Sequence, residues 1–251
     1  MPKEVQRKLI EAISSCKEPG LIILEAPMGC GKTEAALLAA EQLAYQTKRS
    51  GVFLGLPTQA TSNGIFPRIK DWLQRVHEET HEKMELRLLH GKAYLNEEYV
   101  NLTRVKRSDA DESGEDSAFA VNEWFSGKKT AIMDDFVVGT VDQFLLTALK
   151  QKHLALRHLA FAKKVVIIDE VHAYDAYMSQ YLQMAIQWMA AYGVPVLLLS
   201  ATLSESSRLE LTKSYLRGLS VDHIYGWIER FSGEGICKKT GEDSSDREID
   251  G

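Results

Sequence analysis

A glycine-rich segment near the amino terminus carries the residue types that bind phosphate. Residues 26–33 read APMGCGKT; an apolar run at 21–24 precedes them and a helix-forming stretch follows. Glycines let the backbone curl so that successive N–H groups point at phosphate oxygens, and the following helix adds the positive end of its dipole. Lys32 would reach the terminal phosphates, and the Thr33 hydroxyl would ligate Mg²⁺. The segment therefore matches the Walker A pattern of nucleotide-binding proteins, with Ala26 in place of its first glycine.

Two consecutive acids, Asp169 and Glu170, follow the apolar run at 165–168. A carboxylate at the end of a buried strand costs free energy unless a cation meets it. Asp169 is therefore predicted to hold Mg²⁺ beside the phosphate loop, directly or through water. Glu170 is placed to orient or deprotonate the attacking water. Together with Lys32, these two acids are the predicted catalytic residues.

A third apolar run, 196–199, ends in the polar sequence Ser200-Ala201-Thr202. The two hydroxyls could accept hydrogen bonds from His172 and relay the state of the nucleotide to another surface. The same residues also suit an ordinary polar strand end, followed by a helix that Ser204 caps. Spacing alone leaves both interpretations open.

These three polar motifs follow short apolar runs, and such runs alternate along the chain with helical patterns. The predicted strands cover residues 21–24, 52–54, 86–89, 136–138, 165–168 and 196–199. Their unbroken apolarity fits strands that are covered on both faces, as in a parallel sheet. The clearest predicted helix is 175–191, where Met178, Leu182, Ala185 and Met189 form one apolar stripe. The pattern predicts a doubly wound, mostly parallel α/β sheet with helices on both faces, which binds ligands at the carboxyl ends of its strands.

Composition excludes several classes of protein. The chain has 251 residues, of which 45% are hydrophobic and 26% charged, a balance typical of a globular domain. Its three cysteines form no Cys-x-x-Cys pair, which argues against a disulfide framework or a structural zinc site. No apolar run is long enough to span a membrane and the first residues resemble no signal peptide, so a cytoplasmic protein is expected.

The charge is unevenly distributed, and this indicates the domain organisation. The net charge is −5, and residues 108–118 alone contain five acids and no base. We expect one nucleotide-binding α/β domain over 1–220, interrupted at 103–118 by a disordered acidic loop. Residues 221–251 are expected to form a polar, partly disordered tail.

Four further motifs point to a family. Residues 55–63 read GLPTQATSN, 90–93 read HGKA, 138–143 read VGTVDQ and 169–175 read DEVHAYD. With the phosphate loop and Ser200-Ala201-Thr202, they resemble the first RecA-like, DEAD/DEAH-type domain of superfamily 2 helicases. The likeness is closer still to the helicase part of the CRISPR-associated helicase–nuclease of type I interference systems.

The resemblance implies that ATP hydrolysis is coupled to translocation along single-stranded DNA that a guide-RNA surveillance complex has displaced. It implies ATP and Mg²⁺ as cofactors, with Mg²⁺ held by Thr33 and Asp169. The implied nucleotide contacts are Gln6, Pro27, Gly29, Cys30, Gly31, Lys32, Thr33 and Glu34. The implied coupling residues are His172, Ser200 and Thr202, and the implied DNA contacts are Pro57, Thr58, Gln59, Thr140, Asp142 and Gln143.

The same family carries a second RecA-like domain and a metal-dependent nuclease domain, and no motif of either is present in these 251 residues. We therefore expect half of an ATP site: this chain alone would bind Mg-ATP and single-stranded DNA without useful turnover. Two alternatives stay open, namely a superfamily 2 domain that acts on RNA or in DNA repair, and a non-catalytic subunit that needs a partner lobe.

One further pattern, His-Glu-Glu-Thr-His at residues 77–81, matches the zinc-protease motif. Its surroundings are charged nearly all round, whereas a metal-binding helix must be buried and supported by neighbouring groups. We interpret the segment as an exposed helix end.

Overall fold

The computed structural model describes residues 3–80, 84–89, 119–120 and 131–220. Seven strands form a sheet in the order β1-β7-β6-β2-β5-β3-β4, and every strand pair is parallel. The strands are β1 (Leu21–Glu25), β2 (Gly51–Leu56), β3 (Met84–Leu89), β4 (Phe119–Ala120), β5 (Phe136–Thr140), β6 (Lys164–Ile168) and β7 (Val196–Ser200). The predicted parallel α/β sheet is therefore confirmed.

Helices cover both faces of the sheet. They are α1 (Glu4–Ser15), α2 (Lys32–Thr47), α3 (Gln59–Thr80), α4 (Asp142–Leu145), α5 (Leu154–Phe161), α6 (Ala176–Ala191) and α7 (Glu205–Gly218). The first three pack in one apolar core, and the other four pack in a second core on the opposite face. Short 3₁₀ turns occur at Ala131–Met133, Leu146–Ala148 and Val171–Ala173.

The central strands show why unbroken apolar runs were needed. Along β6, Val165 and Ile167 face the first core, whereas Val166 and Ile168 face the second. Successive side chains of a strand point to opposite faces, so a strand between two layers of helices needs apolar side chains on both faces.

Side chains define the beginnings of the last two helices. The Asp175 carboxylate accepts a hydrogen bond from the backbone N–H of Met178 at 2.7 Å, where α6 begins. The Ser204 hydroxyl accepts one from the N–H of Ser207 at 3.1 Å, where α7 begins. The predicted cap at Ser204 is thus confirmed, and such a cap stabilises a helix by about 1 kcal/mol.

Strand register brings the ends of the strands together. Glu25 of β1 lies opposite Ser200 of β7, and Leu56 of β2 lies opposite Thr140 of β5. Because all strands are parallel, their carboxyl ends form one edge, and the segments that follow them are neighbours there.

Two earlier expectations fall on other parts of the chain: the acidic loop at 103–118 and the polar tail at 221–251 lie outside the described residues. Within the ranges that the structure describes, no helix has the length and apolarity to cross a membrane.

Candidate nucleotide-binding site

The phosphate loop connects β1 to α2, and its glycines adopt backbone angles that other residues avoid. Gly29 has φ of 76° and Gly31 has φ of 90°. Gly31 is also the N-cap of α2 and offers no capping side chain, so the first N–H groups of that helix stay open for an anion. Ala26 has no positive φ, so alanine meets no steric penalty where the Walker A pattern has its first glycine.

The Lys32 ammonium lies inside this loop. It donates hydrogen bonds to the backbone carbonyls of Ala26 at 2.6 Å and Pro27 at 3.2 Å. Neutral carbonyls are weaker partners for an ammonium than phosphate oxygens. A nucleotide phosphate at the loop would therefore draw Lys32 away from these two carbonyls.

Asp169 stands at the end of β6, beside Lys32. Its backbone N–H donates to the Gly55 carbonyl at 2.9 Å, and its carboxylate accepts from the Glu170 N–H at 2.9 Å. Burial raises the pKa of the Asp169 carboxyl, while the Glu170 N–H and the Lys32 charge lower it. A half-buried carboxylate at the end of the strand provides the hard oxygen ligand that Mg²⁺ prefers, so Asp169 fits this ion.

The next residue, Glu170, has a left-handed backbone with φ of 52° and ψ of 44°. For a residue with a Cβ this conformation costs about 1–2 kcal/mol. Two hydrogen bonds hold the turn in place: the Ala173 N–H donates to the Glu170 carbonyl, and the Tyr174 hydroxyl donates to the Asp169 carbonyl, both at 2.9 Å. Strain of this kind gathers at functional sites, where surrounding structure compensates for it.

His172 connects this turn to the end of β7. Its Nδ1 lies 3.1 Å from the Ser200 Oγ, and the Ser200 hydroxyl donates to the Thr202 carbonyl at 2.8 Å. The sequence suggested that both hydroxyls would meet His172, but Thr202 takes part through its backbone oxygen. His172 and Thr202 also line a cleft of about 820 Å³ between α6 and α7, so these hydrogen bonds connect the turn at Glu170 with that cleft.

Gln6 lies near the phosphate loop, at a cavity of about 360 Å³ between α1, α2 and α3. Thr33 and Glu34 line the same cavity, and Leu37 and Trp72 supply apolar surface. The Gln6 side-chain oxygen accepts a hydrogen bond from the Lys3 N–H at 2.8 Å, which leaves its amide nitrogen available. The lining also contains Arg68, Asp71 and Arg75, so the cavity combines apolar surface with charged groups and the Gln6 amide, and such a site can hold a nucleobase.

The two predicted nucleic-acid segments meet at the ends of β2 and β5. The Val141 N–H donates to the Leu56 carbonyl at 2.8 Å and joins the segments directly. Thr58 and Thr61 close a tight turn, in which the Thr61 N–H donates to the Thr58 hydroxyl at 3.1 Å. The exposed Asp142 begins α4. Pro57, Gln59, Thr140 and Gln143 lie in the same two segments, whereas the motif at 90–93 lies outside the described residues.

Several interactions at this edge have no signature in the sequence. Arg157 of α5 donates to the Gln143 carbonyl at 2.8 Å. Arg208 of α7 forms a two-pronged ion pair with Glu25, at 2.9 and 3.1 Å, directly before the phosphate loop. These residues are far apart in the chain, so only the fold brings them together.

The histidine pattern at 77–81 differs from its expected environment. His77 is buried, with 6% of its surface exposed, so it does not lie on an exposed helix end. Among the described residues, no group of three or more His, Cys, Asp or Glu side chains could hold a metal ion.

Comparison with known proteins places the chain. The sequence model of the DEAD/DEAH box helicases matches residues 3–210. The CRISPR-associated nuclease/helicase Cas3 of Streptococcus thermophilus is 58% identical over 220 residues, which are 88% of this chain and 24% of that protein. The chain thus spans about a quarter of the length of this relative.

Solved structures agree with the sequence match. The crystal structure of T. fusca Cas3 with ADP superposes with a TM-score of 0.73 and 39% identity, over 87% of this chain and 22% of that one. A chain in a CRISPR RNA-guided surveillance complex, captured before nicking, superposes with a TM-score of 0.62 and 34% identity, over 86% of this chain and 20% of that one. The resemblance to the helicase part of Cas3 is confirmed, and the chain belongs to the DEAD/DEAH box helicase family.

Proposed function

We propose that this chain is the Mg-ATP-binding motor domain of a CRISPR type I helicase, over residues 1–220, and that it acts on single-stranded DNA. The observation that carries the proposal is that Lys32, at the start of α2, and Asp169, directly after β6, lie close together at one edge of the sheet. The similarity to Cas3 proteins supports it.

The nucleotide would bind through the chain's own backbone and side chains. The open N–H groups at Gly31 and the first turn of α2 would hold phosphate oxygens. Lys32 would exchange its two carbonyl partners for the terminal phosphates. Gln6 would contact the base from the neighbouring cavity, and Glu34 would line the same side.

Thr33 and Asp169 would hold the magnesium ion, which, when bound, neutralises charge on the phosphates. Glu170 would orient the attacking water and accept its proton. The strained turn fixes the Glu170 backbone, and the hydrogen bonds from Ala173 and Tyr174 keep it so before the substrate arrives. Such preorganisation lowers the cost of assembling the reactive geometry.

The contact between His172 and Ser200 would couple hydrolysis to movement. His172 follows Glu170 by two residues, and Ser200 leads to Thr202 at the surface of the cleft between α6 and α7. A shift of the turn that carries Glu170 would therefore reach the surface through two hydrogen bonds.

Single-stranded DNA would pass over the ends of β2 and β5. Pro57, Thr58 and Gln59 would line one side, and Thr140, Asp142 and Gln143 would line the other, where Thr140 exposes only 6% of its surface. Backbone N–H groups and small hydroxyls in such loops contact phosphates rather than base edges, which suits tracking that ignores sequence.

The chain would supply half of the catalytic site. By the similarity to Cas3, a second RecA-like domain would close over the nucleotide, and a nuclease domain and a guide-RNA surveillance complex would be its further partners, in the cytoplasm. In related phosphoryl-transfer proteins an arginine from a partner accelerates the reaction by about 10³–10⁵. The isolated chain is therefore expected to bind Mg-ATP without rapid turnover.

Single-turnover release of phosphate from Mg-ATP tests this proposal, with and without single-stranded DNA or RNA. We expect negligible release while nucleotide stays bound, with binding weakened by about tenfold or more in Lys32→Ala and unchanged in the exposed Lys17→Ala. Fast release stimulated by DNA would contradict the half-site. Binding of wild-type strength in Lys32→Ala would overturn the assignment of the phosphate loop.

A further inference from the structure

A basic segment follows the second DNA-contact loop. Residues 143–168 contain five lysines and arginines and no aspartate or glutamate, in a chain whose net charge is −5. Lys163 and Lys164 stand at the start of β6, at the opposite end of the strand from Asp169, and Lys164 is buried. Lys150, Lys152 and Arg157 remain, between the end of α4 and the middle of α5.

Arg157 is a half-buried cation without an acidic partner. Its Nη1 donates to the Gln143 carbonyl at 2.8 Å and to the Gln143 side-chain oxygen at 3.3 Å. No carboxylate of the described chain forms an ion pair with it, and burial lowers the pKa of its guanidinium. A partly desolvated charge gains free energy when an anion approaches.

The neighbouring side chain does not share this environment. His158 turns inwards: its Nδ1 lies 2.7 Å from the Tyr192 hydroxyl, and its Nε2 lies 3.1 Å from the Thr147 carbonyl. Both ring nitrogens are therefore engaged in the fold. The remaining guanidinium N–H groups of Arg157 make no hydrogen bond within the described residues, and Lys150 and Lys152, which precede it in the chain, are exposed.

The position of Arg157 connects it to the DNA-contact loops. Gln143, which holds it, comes two residues after Val141, whose N–H bonds the end of β2. Arg157 is thus fixed at the meeting point of both loops. A fixed guanidinium with open donors recognises phosphate oxygens in a defined orientation.

We propose that Arg157, oriented by Gln143 and accompanied by Lys150 and Lys152, binds a backbone phosphate of single-stranded DNA. This inference rests on the proposed function and adds a residue to its DNA path. It also gives Gln143 a different role: both of its oxygens serve Arg157, so Gln143 acts as a positioning residue rather than as a direct DNA contact.

The test is binding of fluorescently labelled oligo(dT) to the full chain, followed by anisotropy over a series of salt concentrations. Arg157→Gln removes the charge and keeps a polar side chain. Arg157→Lys keeps the charge but loses the planar set of N–H donors of the guanidinium. Lys213→Ala, on the exposed side of α7, is the control. Circular dichroism and the thermal midpoint check that each variant is folded.

We expect Arg157→Gln to weaken binding equally on oligo(dT) and mixed sequences, and to make the plot of log K against log salt shallower by about 0.7, the value for one phosphate contact on a single strand. Arg157→Lys should fall between this variant and the wild type. Lys213→Ala should match the wild type.

Wild-type affinity and salt slope in Arg157→Gln would overturn the inference and leave the proposed function intact, since Arg157 would then only brace α5 against α4. A wild-type chain that binds ATP but no single-stranded DNA would instead contradict the DNA part of the proposed function, and this inference with it. If Arg157→Gln fails to fold, the double variant Lys150→Ala/Lys152→Ala decides. A shallower slope supports the basic site, and an unchanged slope refutes it.

Discussion

The Tyr174 hydroxyl donates a hydrogen bond to the Asp169 carbonyl at 2.9 Å and so ties the strained turn at Glu170 to the helix that follows. Tyr174 is largely buried, and this burial, with the charges of Asp169 and Glu170, raises the pKa of its hydroxyl. The hydroxyl therefore remains protonated, and able to donate, at neutral pH.

Replacement of Tyr174 by phenylalanine should leave the Asp169 carbonyl without this donor. We expect the free energy of unfolding to fall by about 1–2 kcal/mol, because a buried acceptor loses its partner. Urea denaturation measures the change. Tyr177→Phe is the control, since its hydroxyl is exposed and bonds only the Tyr181 hydroxyl; an equal loss in both variants would contradict the role of Tyr174.

Asp169→Asn should stabilise the chain in the absence of nucleotide. Burial raises the pKa of Asp169 above its usual value of 3.8, so the folded protein holds this proton more tightly than the unfolded chain does. Stability is therefore lost as pH rises from about 3.8 through the raised value, and the asparagine variant avoids this loss.

Thermal unfolding at neutral pH checks this expectation. Asp169→Asn should have a higher Tm than the wild type without ligand and should gain less from Mg-ATP. Glu18→Gln, an exposed acid, should change neither quantity. A lower Tm in Asp169→Asn would show that the ionised carboxylate contributes to the fold.

His158 should make the fold sensitive to acid. Burial lowers its pKa from the usual 6.5, so the unfolded chain takes up this proton first as pH falls. Its contribution to stability is complete above about pH 6.5 and is lost below that value, down through the lowered pKa. The stability of His158→Phe, measured by urea denaturation at several pH values, should vary less over this range. The exposed His153, replaced by asparagine, should leave the wild-type dependence unchanged.

Gly31 and Gly64 should respond oppositely to alanine. Gly31 has φ of 90°, and a Cβ there would lie 3.2 Å from the Lys3 side chain, so Gly31→Ala should deform the phosphate loop and abolish ATP binding. Gly64 lies within α3, and a Cβ there would meet nothing within 4 Å. Gly64→Ala should therefore stabilise the chain by about 1 kcal/mol. Calorimetric ATP titration and urea denaturation of both variants measure these effects, and wild-type affinity in Gly31→Ala would be inconsistent with the loop geometry.

The sequence was sufficient for the parts of the fold that depend on local pattern. Every predicted strand occurs, because a strand between two helical layers needs apolar side chains on both faces, as residues 165–168 of β6 and 196–199 of β7 provide. The two-residue strand β4 could not be predicted, since two residues carry no periodicity. His77 was expected to be exposed from the charges around it, but the face that it occupies depends on what α3 packs against.

The candidate site, like the fold, could be predicted from the sequence only in part. Lys32 and Asp169 could be placed at one edge because parallel strands end together. The pairing of Arg157 with Gln143, and that of Arg208 with Glu25, depend on how α5 and α7 lie against the sheet. Neither contact follows from spacing along the chain.

Calorimetric titration of the chain with ATP, with and without Mg²⁺, tests the account most directly. We expect the wild-type chain to bind ATP more tightly when Mg²⁺ is present. The affinity should fall by about tenfold or more in Lys32→Ala, because a charge-assisted contact is lost. It should no longer depend on Mg²⁺ in Asp169→Asn, and it should be unchanged in Lys17→Ala. Binding that is indifferent to Mg²⁺, Lys32 and Asp169 alike, or no binding at all by the folded wild-type chain, would contradict the assignment of this edge of the sheet as an ATP site.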